Sequence, residues 1–326
     1  MTQNPLISVV IPTRNRPGFV LRAVESARRQ TYRPIQIVVV VDGPDDESVK
    51  ALRSVQDEHL KIVALQENVG GSEARNTGVR ESGGEWIALL DDDDEWMPEK
   101  LEKQMALLQG LPNKHAFAAC RFVERSNDEV RTYPSRIPES GESIDNYMCR
   151  PRGLRTGGEL LQTSTLLVPR ALLMEVPFVR GLKRGQEFVW MVEANTRGGA
   201  GFHVVPEVLS FFNATGFSDA VRISAKPNWR SFYTCLQSIK HLFDRRAYAY
   251  CIATRVLTDA IACNEPWQVK FGLLKDCAFN GGLSPHCIAI FLYIWMIPPA
   301  TRRRLGEGLR YVQRSGSPAG QSVAEA

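Results

Sequence analysis

Along the first third of the chain, short apolar runs alternate with stretches whose apolar residues recur at helical spacing. The runs at 7–11, 35–41, 61–65 and 86–90 are nearly unbroken in Ile, Val, Leu and Ala, the pattern of strands buried on both faces. Between them lie predicted helices at 17–30, 47–55 and 72–80. Pro17 opens the first, Ser72 can cap the third, and Ser82-Gly83-Gly84 ends it. This alternation predicts an α/β fold: a mostly parallel sheet flanked by helices and joined by right-handed crossovers. A helix at 98–109 and a strand at 116–123 continue it. Residues 126–158, rich in Gly, Pro, Ser and Arg, have little periodicity and read as a functional loop or lid. Strands follow at 163–168, 202–205 and 208–212, with a short helix at 170–175 and a longer one from the Gly185-Gln186-Glu187 turn to residue 196. From residue 227 the pattern is helical: 229–243, 246–263, 266–278 and 286–297. The chain therefore divides into an α/β domain over 1–225, a helical region over 226–314, and a small, polar tail over 315–326 that reads as disordered.

The strands end in chemistry. The fourth stops at Asp91-Asp92-Asp93-Asp94, the second at Asp42-Gly43, and the first at Pro12 followed by Thr13-Arg14-Asn15-Arg16. In an open α/β sheet these ends share one edge, where ligands bind. Four adjacent carboxylates repel one another, so a cation is expected beside them; hard oxygen ligands suit Mg²⁺ or Mn²⁺, which bridge to phosphates. The same acids also read as a solvated turn capping the helix that opens at Pro98. Asp42 fits either a turn acid, since Asp-Gly is a common turn pair, or an acceptor for the imide N–H of uracil or thymine. No G-x-G-x-x-G follows the first strand and no Walker lysine loop is present, which weighs against dehydrogenases and P-loop NTPases.

Charge changes the picture at the far end. Net charge is +4 overall, but residues 226–326 hold 13 Lys and Arg against 6 Asp and Glu. A mildly acidic front and a basic tail do not suit a nucleic-acid binder; the excess suits a membrane surface or an anionic acceptor. Residues 288–297 are apolar on every face, stop at Pro298-Pro299 and precede Arg302-Arg303-Arg304. At that length they do not span a bilayer, and they read either as a buried helix or as a peripheral membrane contact. The seven cysteines contain no C-x-x-C pair and suit a reducing compartment, and residues 1–5 show no signal-peptide pattern. The expected location is therefore cytoplasmic, with possible contact at the inner face of the membrane.

The run SVVIPTRNRP…IQIVVVVDG…ENVGGSEARNTGVRESGGEWIALLDDDDEW resembles the inverting family-2 glycosyltransferases of GT-A fold, densely over residues 5–110 and more loosely to about 215. The resemblance implies a nucleotide-diphosphate sugar donor, a glycan or lipid-linked hydroxyl acceptor in envelope or exported glycan synthesis, and a divalent metal. By resemblance, Pro12, Thr13 and Arg14 match the first nucleotide-contacting loop, Asp42 the acid that recognises the base, and Arg75 the segment beside base and phosphates. Asp93 matches the metal ligand, supported by Asp91, with Asp92 on the ribose side. Glu187 matches the catalytic base, which takes the acceptor's proton as its hydroxyl attacks the anomeric carbon. Read from its position alone, Glu187 is equally a helix-start acid favoured by the dipole, and Trp190 is a core residue or an acceptor-pocket wall. The chain departs from the family in keeping one acid at the end of the second strand, and in Arg14 where an aromatic is usual. Two rivals stand beside this reading: a sugar-phosphate nucleotidyltransferase, which would normally show a Gly-rich first loop, and a non-catalytic sugar-nucleotide or glycan-binding module.

Overall fold

The computed structural model describes residues 4–113, 115–125, 130–151, 158–213, 229–282, 284–298 and 301–302. Four parallel strands form one half of the sheet: β1 (Ile7–Thr13), β2 (Ile35–Val41), β3 (Leu60–Ala64) and β4 (Trp86–Leu89), in the order β3-β2-β1-β4. The helices between them are α1 (Pro17–Arg28), α2 (Asp46–Arg53) and α3 (Gly71–Glu81). Alternate residues of each strand face opposite layers. Ile7, Val9 and Ile11 join Val20, Ala23 and Val24 of α1 in one core, while Val10 meets Val79 of α3 in another. Ala88 and Ile87 of β4 divide between the two cores in the same way.

The second half of the sheet is mixed. It contains β5 (Glu95–Trp96), β6 (Phe117–Arg125), β7 (Val130–Tyr133), β8 (Leu167–Pro169) and β9 (Phe202–Asn213). Antiparallel β8 joins β4 to β6, and β6 then pairs in parallel with β9. The two strands expected at 202–205 and 208–212 are one strand, because Val205 pairs with Cys120 and Val208 with Arg121. Pro206, which has no N–H for the ladder, sits in the resulting bulge. The expected strand at 163–168 is a 3₁₀ turn, Thr163–Thr165, ahead of the short β8. Helix α4 (Lys100–Gln109) places Leu101, Met105 and Leu108 with Trp96 in the first core. Its N-cap is Glu99, so the four aspartates do not cap it.

The stretch expected to be loop contains β7 and α5 (Ile144–Cys149); residues 126–129 and 152–157 lie outside the described residues. Beyond β8 come α6 (Arg170–Glu175) and α7 (Gln186–Thr196). The C-terminal helices are α8 (Trp229–Ile239), α9 (Arg245–Cys251), α10 (Leu257–Ala262), α11 (Trp267–Gly281) and α12 (Pro285–Met296). A π-helical turn, Ile252–Val256, joins α9 to α10. Their inner faces share one apolar core with α5 and α7, running from Phe188 and Trp190 through Tyr248 and Ile252 to Phe291. The tail expected to be disordered, 315–326, lies outside the described residues, as do Arg303 and Arg304. Among the described residues no helix is long and apolar enough to cross a membrane.

The crossing from α3 into β4 is tight. A Cβ on Gly84 would stand 2.7 Å from the Ser8 backbone nitrogen and 2.8 Å from the Leu6 carbonyl oxygen. Backbone cannot yield as a flexible side chain does. Gly84→Ala is therefore expected to lower unfolding free energy by about 1–3 kcal/mol in a denaturant titration; an unchanged midpoint would show that this approach is looser than described.

Candidate functional site

The register of the parallel half brings three strand ends together: Thr13 pairs with Val41 across β1 and β2, and Val10 pairs with Leu89 across β1 and β4. Asp42 and residues 91–94 therefore emerge along one edge. Each aspartate then finds a different environment.

Asp94 points into the protein. It is 1% exposed, and its Oδ2 accepts from Ser164 Oγ at 2.5 Å and Gln162 Nε2 at 2.7 Å. Burial, reinforced by Asp93 and Asp91, pushes its carboxyl well above the ordinary range. The same Ser164 hydroxyl accepts the Asp91 N–H at 3.0 Å, and the Ser164 carbonyl accepts Trp96 Nε1 at 2.7 Å. Behind Trp96, the fully buried Lys100 sets its Nζ 4.0 Å from the indole ring centre and donates to Gln104 Oε1 at 2.8 Å. This scaffold fixes the turn from inside.

Asp91, Asp92 and Asp93 face the edge and meet two arginines. Arg16 Nη1 donates to Asp92 Oδ1 at 3.1 Å and to Asp93 Oδ2 at 3.3 Å, and Thr13 Oγ1 donates to Asp92 Oδ2 at 2.7 Å. Arg75 donates to Asp91 through Nη2 and to Gln186 Oε1 through Nη1 at 2.6 Å. Such charge-assisted bonds are the stronger kind, and buried carboxylates need them. Even so, burial raises the Asp92 carboxyl, and burial together with Asp92 and Asp91 pushes Asp93 up to about 6.

The first loop carries two arginines that the structure sends different ways. Arg14 is exposed, and Arg16 is the residue that reaches the acids. The loop reverses at Asn15, whose φ of +52° lies in the left-handed region and whose N–H donates to Asp45 Oδ2 at 2.5 Å. That turn sends Arg14 outward and Arg16 back. Pro12 lies inside β1, paired with Val40. Asp42 is buried, and both its oxygens accept backbone N–H groups, from Val69 at 2.7 Å and Gly70 at 3.0 Å. The 69–70 turn reaches it because Gly70 adopts φ +84°.

Glu187 sits in the first turn of α7, directly after Gln186. Arg75 is thus the tie between this helix start and the acidic turn. Burial raises the Glu187 carboxyl, while its own backbone N–H and Arg75 oppose the rise. Trp190 is core: it is fully buried, donates Nε1 to the Val176 carbonyl at 2.8 Å, and stacks on Phe178.

Residues 8–165 match the family model for glycosyl transferase family 2. The chain carries a family-2 glycosyltransferase domain. That domain covers the first three strand ends and the four aspartates; Glu187 lies beyond it. An uncharacterized glycosyltransferase of Rickettsia prowazekii is 37% identical over 182 residues, covering 54% of this chain and 55% of the relative. The putative teichuronic acid biosynthesis glycosyltransferase TuaG of Bacillus subtilis is 29% identical over 161 residues, 49% of this chain and 58% of its own. The chain thus spans about half the length of these curated relatives. Among solved structures, TarS of S. aureus in complex with UDP-GlcNAc aligns over 94% of this chain and 92% of its own, with a TM-score of 0.63 at 16% identity. The mannosyltransferase PcManGT of Pyrobaculum calidifontis, in complex with GDP-Man and Mn2+, aligns over 90% and 88%, with a TM-score of 0.53 at 17% identity. At these identities the likeness is one of fold, and the fold of the glycosyltransferase domain is GT-A with helices appended at the C-terminal end.

Ser164 was invisible in the sequence, yet it holds both Asp94 and the Asp91 backbone. Ser164→Ala leaves a buried carboxylate short of a donor and a backbone N–H short of an acceptor. The expected loss is about 1–3 kcal/mol of unfolding free energy. An unchanged denaturation midpoint would mean that the turn is held by other contacts.

Proposed function

We propose that this chain is an inverting glycosyltransferase that moves a sugar from a nucleotide-diphosphate donor to a hydroxyl acceptor in envelope or exported polysaccharide synthesis. The observation that carries the reading is the Arg75 bridge, which bonds Asp91 on one side and Gln186 on the other and so draws Glu187 beside the acidic strand end. The biosynthetic setting is supported by relatives named for teichuronic and colanic acid biosynthesis. A nucleotide donor is supported by fold neighbours solved with UDP-GlcNAc and GDP-Man.

The donor set fits a divalent metal. Carboxylates held above their ordinary range by burial and by one another, and balanced in part by arginines, are what a hard cation relieves. Asp93, supported by Asp91, would hold Mg²⁺ or Mn²⁺. Such a cation would take its remaining ligands from water and the donor's phosphates. When bound, the metal offsets the charge of the departing diphosphate.

The chain's own residues do the rest. Asp42, with its oxygens on the 69–70 turn, fixes the wall where the base would lie. Thr13 and Arg16 hold Asp92 towards the ribose. Arg16 bridges Asp92 and Asp93 and would turn to the phosphates of a bound donor. Glu187 accepts the acceptor's proton as the hydroxyl attacks C1 from the face opposite the leaving diphosphate. Its raised carboxyl makes it a better base than an exposed glutamate.

Glu187→Gln keeps shape but cannot take a proton. Transfer should fall about 10²-fold or more, while stabilisation by UDP or GDP with Mn²⁺ survives in a thermal melt. In the wild type the charged base is lost as pH falls through the raised value, so the rate should decline on the acid side at a pH above the ordinary glutamate range of about 4.3. Unchanged turnover in the variant would remove Glu187 as the base.

A further inference from the structure

The residues at 288–297 are half core. Cys287, Ile290, Phe291 and Ile294 of α12 are buried, whereas Leu292 is exposed and Met296 is 72% exposed. The neighbouring α11 does the same with larger side chains. Leu273 and Cys277 face inward; Trp267 at 63% exposure, Phe271 and Phe279 at 78% exposure face out. At helical spacing Trp267, Phe271, Lys275 and Phe279 fall on one side of α11, away from its buried residues. Isolated exposed apolar residues need no explanation, but three aromatics on one face beside an apolar neighbour helix do.

The charge on this face has one sign. Lys275 lies among the aromatics of α11, its Nζ 5.0 Å from the Phe271 ring centre, and Arg302 follows α12. Asp276 is the one acid in α11 and α12, and it is turned inward. Its Oδ2 accepts from Tyr233 at 2.7 Å and Tyr248 at 2.9 Å, and its Oδ1 accepts from Asn280. An outward surface of aromatics with Lys275 among them and no acid from either helix complements an apolar phase under an anionic layer. Aromatic rings settle at the interface, and ammonium groups meet lipid phosphates.

We propose that the outer face of α11 and α12 is a docking surface for an anionic lipid bilayer, entered by Trp267, Phe271, Phe279 and Met296, with Lys275 among the aromatics and Arg302 at the end of α12. The contact lies on the surface and crosses nothing. It is independent of the transfer reaction, because binding to vesicles needs neither donor nor acceptor.

Flotation of the full chain with phosphatidylcholine vesicles, with and without phosphatidylglycerol, tests it. The wild type should float with the anionic vesicles and come off as salt rises. The triple variant Trp267→Gln/Phe271→Gln/Phe279→Gln and the variant Lys275→Glu should each bind about tenfold more weakly or worse. Circular dichroism should be unchanged, since every substituted side chain lies outside the core. Three outcomes would overturn the proposal: no flotation with either vesicle at low salt, flotation indifferent to both variants, or an effect of the triple variant on self-association with none on vesicle binding.

Discussion

Four carboxylates in a row at the end of a buried strand repel one another, and much of the site is arranged around offsetting that repulsion. The protein separates them. Asp94 is turned inward onto Ser164 and Gln162, so one charge leaves the edge. The other three are shared between Arg16, which bridges Asp92 and Asp93, and Arg75, which takes Asp91. Each arginine comes from a different crossover of the parallel sheet, so the acids are assembled only when β1, β2 and β4 are in register. The Asp92 and Asp93 carboxyls still lie above the ordinary range, raised first by burial and then by their acidic neighbours.

The helix that carries Glu187 is tied to this edge through Gln186 and Arg75, and it is seated from behind. Phe188 packs on Phe232 and Phe243 with ring centres 6.0 Å apart in each case, and the Arg255 guanidinium stands 4.8 Å from its ring centre. Arg255 comes from the π-helical turn between α9 and α10. The C-terminal helices thus support the start of α7 from one side while the acids hold it from the other. Catalytic groups held on packed elements keep their geometry better than groups on free loops.

Much of this was legible in the pattern of apolar runs. Strands buried on both faces cannot alternate apolar and polar residues, so 7–11, 35–41 and 86–90 announced a parallel sheet, and their acidic ends announced the edge along which Asp42 and residues 91–94 emerge. What could not be read depends on side-chain direction within loops. Arg14 and Arg16 are equivalent by composition, and only the left-handed turn at Asn15 decides which one faces the acids. Asp94 looks like its three neighbours in sequence and is set apart by Ser164, seventy residues away. The second half of the sheet was hidden for a different reason. Short β5, β7 and β8 carry too few residues for a period, and Pro206 disguises one bulged strand as two.

The central claim is that the acidic edge is completed by a divalent cation and a nucleoside diphosphate together. Titration calorimetry of the full chain with UDP and with GDP, in excess chelator and then with Mn²⁺, tests this most directly. The account predicts that one of the two nucleotides binds at least about tenfold more tightly when the cation is present, a coupling of about 1.4 kcal/mol. Equal affinity with and without Mn²⁺ for both nucleotides, or binding of neither, would contradict it.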